Sequence, residues 1–158
     1  MTIYSMGKVD VLTELILETF RLNGRLLAAG DALVADVGLT SARWQVLGAM
    51  ALSPVPLPVA HIARNMGLTR QAVQRLVNEM ERDGLVCFET NPHHQRAKLV
   101  RRTPRGQSAY EAAMKRQDPW ASRLAEGLGG KQIEAAAATL RTIRQRLEDD
   151  REKGDADA

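Results

Sequence analysis

The stretch from Pro58 to Gly106, PVAHIARNMGLTRQAVQRLVNEMERDGLVCFETNPHHQRAKLVRRTPRG, leaves little freedom in what this chain can fold into. Its first part predicts a helix with Ile62, Ala63 and Met66 on one face, ended by Gly67, which takes the left-handed turn conformation at least cost. A second helix starts at once, with Thr69 as its N-cap and Gly84 where a C-terminal cap belongs. Ala72, Val73, Leu76, Val77 and Met80 recur along it at helical spacing. Its other face carries Arg70, Gln71, Gln74, Arg75 and Asn78, long donor-rich side chains that suit base edges and phosphates in a major groove. Leu85 to Thr90 is then strand-like, with Val86 and Phe88 on one face. Asn91 to Gln95 form a polar tip, and Ala97 to Arg102 run back as a basic strand that includes Lys98. Two helices joined by a tight turn, followed by a basic hairpin, predict a DNA-reading module.

The flanks are helical. From Val9 to Ala29, Leu12, Leu15, Ile16, Phe20, Leu26 and Leu27 crowd a helical pattern with more apolar residues than one narrow seam requires, so part of this helix is expected to pack on another subunit. A second helix is expected over Ser41–Leu52, capped by Thr40 or Ser41, with Trp44, Val46, Leu47 and Met50 inward. Pro54, Pro56 and Pro58 then forbid a central strand but permit an edge strand at Val55 to Leu57, with Pro58 opening the next helix. After the hairpin, Thr103 and Pro104 restart a helix that turns Ala109, Tyr110, Ala113 and Met114 inward. Asp118-Pro119 is expected to kink or break it, because proline removes an amide donor and disfavours the helical conformation of the residue before it. Trp120, Leu124 and Leu128 precede Gly129-Gly130. A last helix over Lys131–Glu148 spaces Ile133, Ala137, Leu140 and Leu147 along a stripe. The charged end, DDREKGDADA, is expected to be disordered.

Charge sharpens the picture once it is located along the chain. The net charge is +3 over 158 residues. Residues 1–57 hold four Lys/Arg and five Asp/Glu, residues 58–106 hold nine and four, and residues 107–158 hold nine and ten. The basic excess of +5 therefore lies within the paired helices and hairpin, as expected of an element that docks on phosphates. The chain has no apolar run near the ~20 residues needed to cross a bilayer. The start, MTIYSMGKVDVL, lacks the basic-then-apolar pattern of a signal peptide. A cytosolic protein is expected, and the lone Cys87 agrees with a reducing compartment.

The order of elements makes a winged helix-turn-helix, and the residues resemble the MarR family of bacterial transcriptional regulators over nearly the whole chain. The specific parts are LTSARWQVLGAM at Leu39 to Met50, GLTRQAVQRLVNEMERDGLV at Gly67 to Val86, and RAKLVRRTPRG at Arg96 to Gly106. The resemblance implies a mainly α fold with a small β-wing. A dimerisation helix would occupy residues 1–38, the DNA-binding lobe 39–106, C-terminal dimerisation helices 107–148, and the disordered tail 149–158. It implies a homodimer on a pseudo-palindromic double-stranded DNA site, with half-sites on the order of 34 Å apart. It further implies a repressor, released when a small, often aromatic, effector enters between the dimer helices and the DNA-binding lobe.

By position, the resemblance gives Thr69 a phosphate contact. Arg70, Gln71, Gln74, Arg75 and Asn78 become candidates for base edges or nearby phosphates, Lys98 joins the DNA-binding set, and Arg96 is the wing arginine of the minor groove. The family often has an aspartate two residues before that arginine, bonded to it. This chain has His94, which supplies no full negative charge.

Other features admit plainer readings. His93 and His94, with His61, invite a metal site, but adjacent histidines on a hairpin tip point to opposite sides and no further ligand lies at recurrent spacing. Cys87 beside Val86 and Phe88 reads as a packing residue ahead of a redox sensor. Trp44, Tyr110 and Trp120 are candidates to line an effector pocket, with core packing the alternative. No nucleophile triad, paired carboxylates or phosphate-binding glycine loop can be assembled, so neither an enzyme nor a cofactor is expected. The rival from another class is a winged-helix module that assembles with a protein and reads no DNA sequence.

Overall fold

The computed structural model describes residues 7–156. Residues 1–6, which enter the signal-peptide reading, and the last two residues of the tail lie outside the described residues. In chain order the elements are α1 (Lys8–Val34), a 3-10 turn (Ala35–Val37), α2 (Ser41–Ala51), β1 (Leu57–Pro58), α3 (Val59–Met66), α4 (Arg70–Arg82), β2 (Val86–Glu89), β3 (Leu99–Arg102), α5 (Pro104–Ala125) and α6 (Gly130–Ala156). The chain divides into two compact units, one through Gln117 and one from Asp118.

The first unit is built on one core. Val46 and Leu47 from α2, Ile62 from α3, and Val73, Val77 and Met80 from α4 are fully buried, together with Val100 of β3 and Ala113 of α5. Helical spacing on three short helices turns one face of each toward the same centre, where each large aliphatic side chain contributes about 1.5–3 kcal/mol. The sheet has the order β1-β3-β2, all antiparallel, with Phe88 opposite Val100 and Leu57 opposite Val100 from the other side. The winged helix-turn-helix architecture is thus present as predicted.

Local details depart from the sequence expectations. The edge strand is Leu57–Pro58 and not Val55–Leu57. Ser53 explains the shift, since its Oγ donates to Val55 O at 2.7 Å and accepts from Val55 N at 3.4 Å, tying Val55 into a local turn instead of the ladder. Pro58 sits at the N-cap of α3, one residue earlier than expected, a position where a helix needs no amide donor from it. Pro119 does not break α5, which runs through it to Ala125. A proline removes only one rung from the ladder, and in a helix of 22 residues the remaining bonds continue it. The helix α6 also runs on to Ala156, through residues expected to be disordered. Arg144 pairs with Glu148 at 3.6 Å and Gln145 donates to Asp149 at 3.0 Å, four-residue spacings that support the last turns of helix before Asp150.

The helix α1 fully buries only its C-terminal end, at Gly30 and Val34. There α2 is seated by a shared polar knot. Ser41 N donates to Asp31 Oδ1 at 2.6 Å, and Ser41 Oγ donates to Leu27 O at 2.7 Å. Most other large apolar residues of α1, Leu12, Ile16, Leu17, Phe20 and Leu26 among them, are exposed. Within the second unit Leu128, Ile133, Leu140 and Leu147 are exposed as well.

An ion pair between Asp36 and Arg116 ties the 3-10 turn to α5. The hydrogen bond from the Arg116 guanidinium holds the Asp36 carboxyl below its ordinary value, with burial acting weakly in the opposite sense. A carboxyl depressed in the folded state contributes stability above its unfolded pKa and loses it as pH falls through the folded one. Asp36→Asn, followed by circular dichroism, is therefore expected to be less stable than the parent at neutral pH, with the difference shrinking as pH falls below the ordinary carboxylate range. Coincident stability curves at every pH would show that the pair contributes nothing.

Candidate nucleic-acid interface

The turn between α3 and α4 is set by backbone conformation. Gly67 has φ +65, in the left-handed region, and its amide closes α3 on Arg64 O at 3.1 Å while Leu68 N bonds Ala63 O at 3.0 Å. The chain then extends through Thr69, whose Oγ1 accepts from Ala72 N at 3.2 Å and starts α4. At the far end, Asp83 N bonds Glu79 O and Leu85 N bonds Met80 O around Gly84. Both ends of α4 are thus fixed by the residues expected to cap it.

With Val73, Val77 and Met80 fully buried and Leu76 packed against the same core, the polar face of α4 points outward. Arg70, Gln71, Arg75 and Asn78 are exposed and Gln74 is half-buried. Gln74 Nε2 donates to Asn78 Oδ1 at 2.9 Å, so these two amides are held one turn apart along the helix. Arg70, Gln74 and Asn78, spaced by four, line one wall of an open groove of about 1310 Å³. The opposite wall is the wing, with Asn91, His94, Arg96 and Lys98 among its lining residues. Thr69, Gln71 and Arg75 lie outside that lining, on the other flank of the same exposed face. The groove also contains His61, Arg64 and Glu81, which sequence reasoning did not assign to the site. The signal for the first two was the exposed side of α3, opposite Ile62 and Ala63.

The wing is held by its own residues. Asn91 Oδ1 accepts from His93 N at 3.0 Å, Asn91 O accepts from His94 N at 3.3 Å, and His94 O accepts from Ala97 N at 3.1 Å. These bonds fold the tip without an aspartate before Arg96, which is exposed and makes no ion pair among the described residues. Lys98 Nζ stands 6.0 Å from the centre of the Phe88 ring, a cation–π contact that holds the ammonium on the groove side. Arg101 is paired with Glu89 across the strands, and that partner keeps its guanidinium more firmly protonated. Arg102 lies over the Tyr110 ring at 5.5 Å. Two of the basic residues of β3 thus have partners within the protein, leaving Arg96 and Lys98 as the wing cations that line the groove.

The remaining candidates are dispersed. Trp44 and Tyr110 are half-buried and pack on the core, and neither lines the groove. Trp120 is half-buried and belongs to the second unit. His61, His93 and His94 all line the groove, and among the described residues no group of three or more His, Cys, Asp or Glu is arranged to hold a metal ion. Cys87 is half-buried on β2 opposite Arg101. No helix among the described residues is long and apolar enough to cross a membrane.

Comparison with known proteins agrees with this geometry. The model of a protein family described as "MarR family" matches residues 37–97, the span from the end of the 3-10 turn before α2 to the wing. An uncharacterized protein of Mycobacterium tuberculosis is 32% identical over 134 residues, covering 85% of this chain and 92% of its own length. The transcriptional activatory protein BadR of Rhodopseudomonas palustris is 30% identical over 107 residues, 66% of this chain and 61% of BadR. The crystal structure of CouR from Rhodococcus jostii bound to p-coumaroyl-CoA superposes with a TM-score of 0.73 at 27% identity, covering 88% of this chain and 95% of CouR.

Proposed function

The chain belongs to the MarR family, and on that premise we propose that it is a homodimeric repressor of transcription that binds a pseudo-palindromic operator and leaves it when a small aromatic ligand binds. That it is a DNA-binding regulator and not an enzyme follows from the family. The observation that carries the finer reading is the outward face of α4. Its amides and guanidinium groups stand on a helix anchored by the fully buried Val73, Val77 and Met80, and Arg70, Gln74 and Asn78 share a groove with the wing cations Arg96 and Lys98 while Gln71 and Arg75 flank it. Gln71, Gln74, Arg75 and Asn78 read base edges, Thr69 and Arg70 hold phosphates or adjacent bases, and Arg96 enters the flanking minor groove.

The uncovered apolar face of α1 supports the dimer, since burial against a second copy is the simplest way to remove it from water. CouR is bound to p-coumaroyl-CoA, which supports an aromatic ligand here, with Trp44 and Tyr110 of the first unit as its proposed contacts. Such a ligand displaces DNA only to the extent that it binds the DNA-free arrangement better. The protein acts in the cytosol. BadR is described as an activatory protein, so a promoter-reporter assay decides the sign of regulation.

Selection of DNA from a random pool by the purified protein is expected to enrich a palindrome, and adding an aromatic acid ligand to abolish the enrichment. On the selected site, Gln71→Ala and Arg75→Ala each lose preference at one position by about 1–3 kcal/mol, whereas Arg96→Ala weakens binding to most sites and flattens the salt dependence by about one unit. Random DNA bound as tightly as any selected sequence at physiological salt would leave the rival protein-interaction module as the better account.

A further inference from the structure

We propose that the open cleft where α2, α4 and α5 meet is a binding site for a small phosphate-bearing ligand, distinct from the DNA-facing groove. The cleft has a volume of about 590 Å³ and is lined by Arg43 of α2, Arg82 and Asp83 at the end of α4, and Arg105 and Ser108 of α5, with Leu85 among its apolar members. That size lies within the range of small-molecule sites.

The charges around it do not balance. Arg43 Nη1 donates to Asp83 Oδ2 at 2.8 Å, so one guanidinium and the only carboxylate of the lining neutralise each other. Arg82 and Arg105 make no ion pair among the described residues. Two uncompensated guanidinium groups from different helices therefore line one concavity, which Ser108 also lines. A dianion matches that charge, and phosphate matches the planar fork of arginine, which donates two parallel hydrogen bonds to it. The apolar part of the lining leaves room for the remainder of an ester, so the shared chemistry is the phosphate group, free or esterified.

DNA is the less fitting occupant. The cleft shares no lining residue with the groove. Arg82 also lies about 18 Å along the axis of α4 from Arg70, at 1.5 Å per residue. The site does not depend on the DNA reading and is tested without DNA.

The full chain is titrated calorimetrically near neutral pH with inorganic phosphate in one arm and AMP in the other, at constant ionic strength set with chloride. Saturable one-site binding is expected, weakened roughly tenfold by Arg82→Gln or Arg105→Gln and changed by less than about twofold by Arg64→Gln in the DNA-facing groove. All three side chains are exposed, so the variants are expected to fold. Tighter binding of AMP marks an ester as the ligand, and tighter binding of inorganic phosphate marks the free anion. The proposal is overturned if neither probe saturates, or if both cleft variants bind like the parent. It is also overturned if Arg82→Gln and Arg105→Gln weaken DNA binding and flatten its salt dependence as Arg96→Ala does, since the cleft is then a contact to the DNA backbone.

Discussion

Gly106→Ala is expected to destabilise the DNA-binding lobe by about 3 kcal/mol or more, although it adds a single methyl group. Gly106 is buried in the first turn of α5, and a Cβ at that position would lie 1.9 Å from Leu85 O and 2.9 Å from Leu85 C. Those are backbone atoms at the entrance to β2, so no side chain can rotate away. The same junction is tied by Thr103. Its Oγ1 donates to Gly84 O at 2.6 Å and accepts from Gly106 N at 3.0 Å, and its amide donates to Leu85 O at 3.1 Å. Relieving the clash moves α5 away from β2 and breaks the cap, which itself is worth about 1 kcal/mol. Against a total stability of roughly 5–15 kcal/mol, this is a large fraction. A thermal melt is expected to fall by roughly 6–12 °C, at about 2–4 °C per kcal/mol for a chain of this size. A variant melting with the parent would mean that the approach of α5 to Leu85 is looser than the geometry describes.

The contrast between Thr103 and Gly106 separates what was legible in the sequence from what was not. Thr103 and Pro104 announce a helix start because capping is local chemistry, settled within four residues. For the same reason Gly67, Thr69 and Gly84 mark the ends of α3 and α4 in advance, and periodicity marks which side of α4 faces out. Gly106 carries no such signal, because its constraint comes from Leu85, on another element. The cleft is similar, since Arg43, Arg82 and Arg105 are far apart in the chain and only the packing of three helices brings them together. Pro119 shows the limit of local propensity: of the kink or break expected there, the break does not occur, since one missing hydrogen bond does not outweigh the rest of a 22-residue helix. At the wing, His94 replaces an expected aspartate, and the substitute support comes from Asn91, whose turn-forming role is readable only with the backbone traced.

Phe20→Glu is expected to turn the proposed dimer into monomers and to cost most of the affinity for a palindromic operator. Phe20 is 72% exposed in the protomer and follows Leu12 and Ile16 at four-residue spacing, so the three form one uncovered apolar line on α1. Because so little of Phe20 is buried within its own chain, the substitution spares the protomer fold, and the far-ultraviolet circular dichroism should not change. Its effect falls on association. Burying a phenylalanine contributes about 1.5–3 kcal/mol, and a two-fold interface counts each residue twice. Losing both copies thus removes roughly 3–6 kcal/mol, a weakening of about 10²- to 10⁴-fold in the dimer constant before the cost of two buried carboxylates is added. Losing the second half-site lowers operator affinity by a factor of roughly 10²–10⁴, because the second contact is no longer intramolecular. Sedimentation equilibrium and operator titration measure the two effects separately. Monomeric parent protein at micromolar concentration would remove the premise, and a variant as dimeric as the parent would place the interface on another surface. If the variant is monomeric yet holds the operator as tightly as the parent, one lobe suffices for recognition and the half-site geometry of the proposed function is wrong.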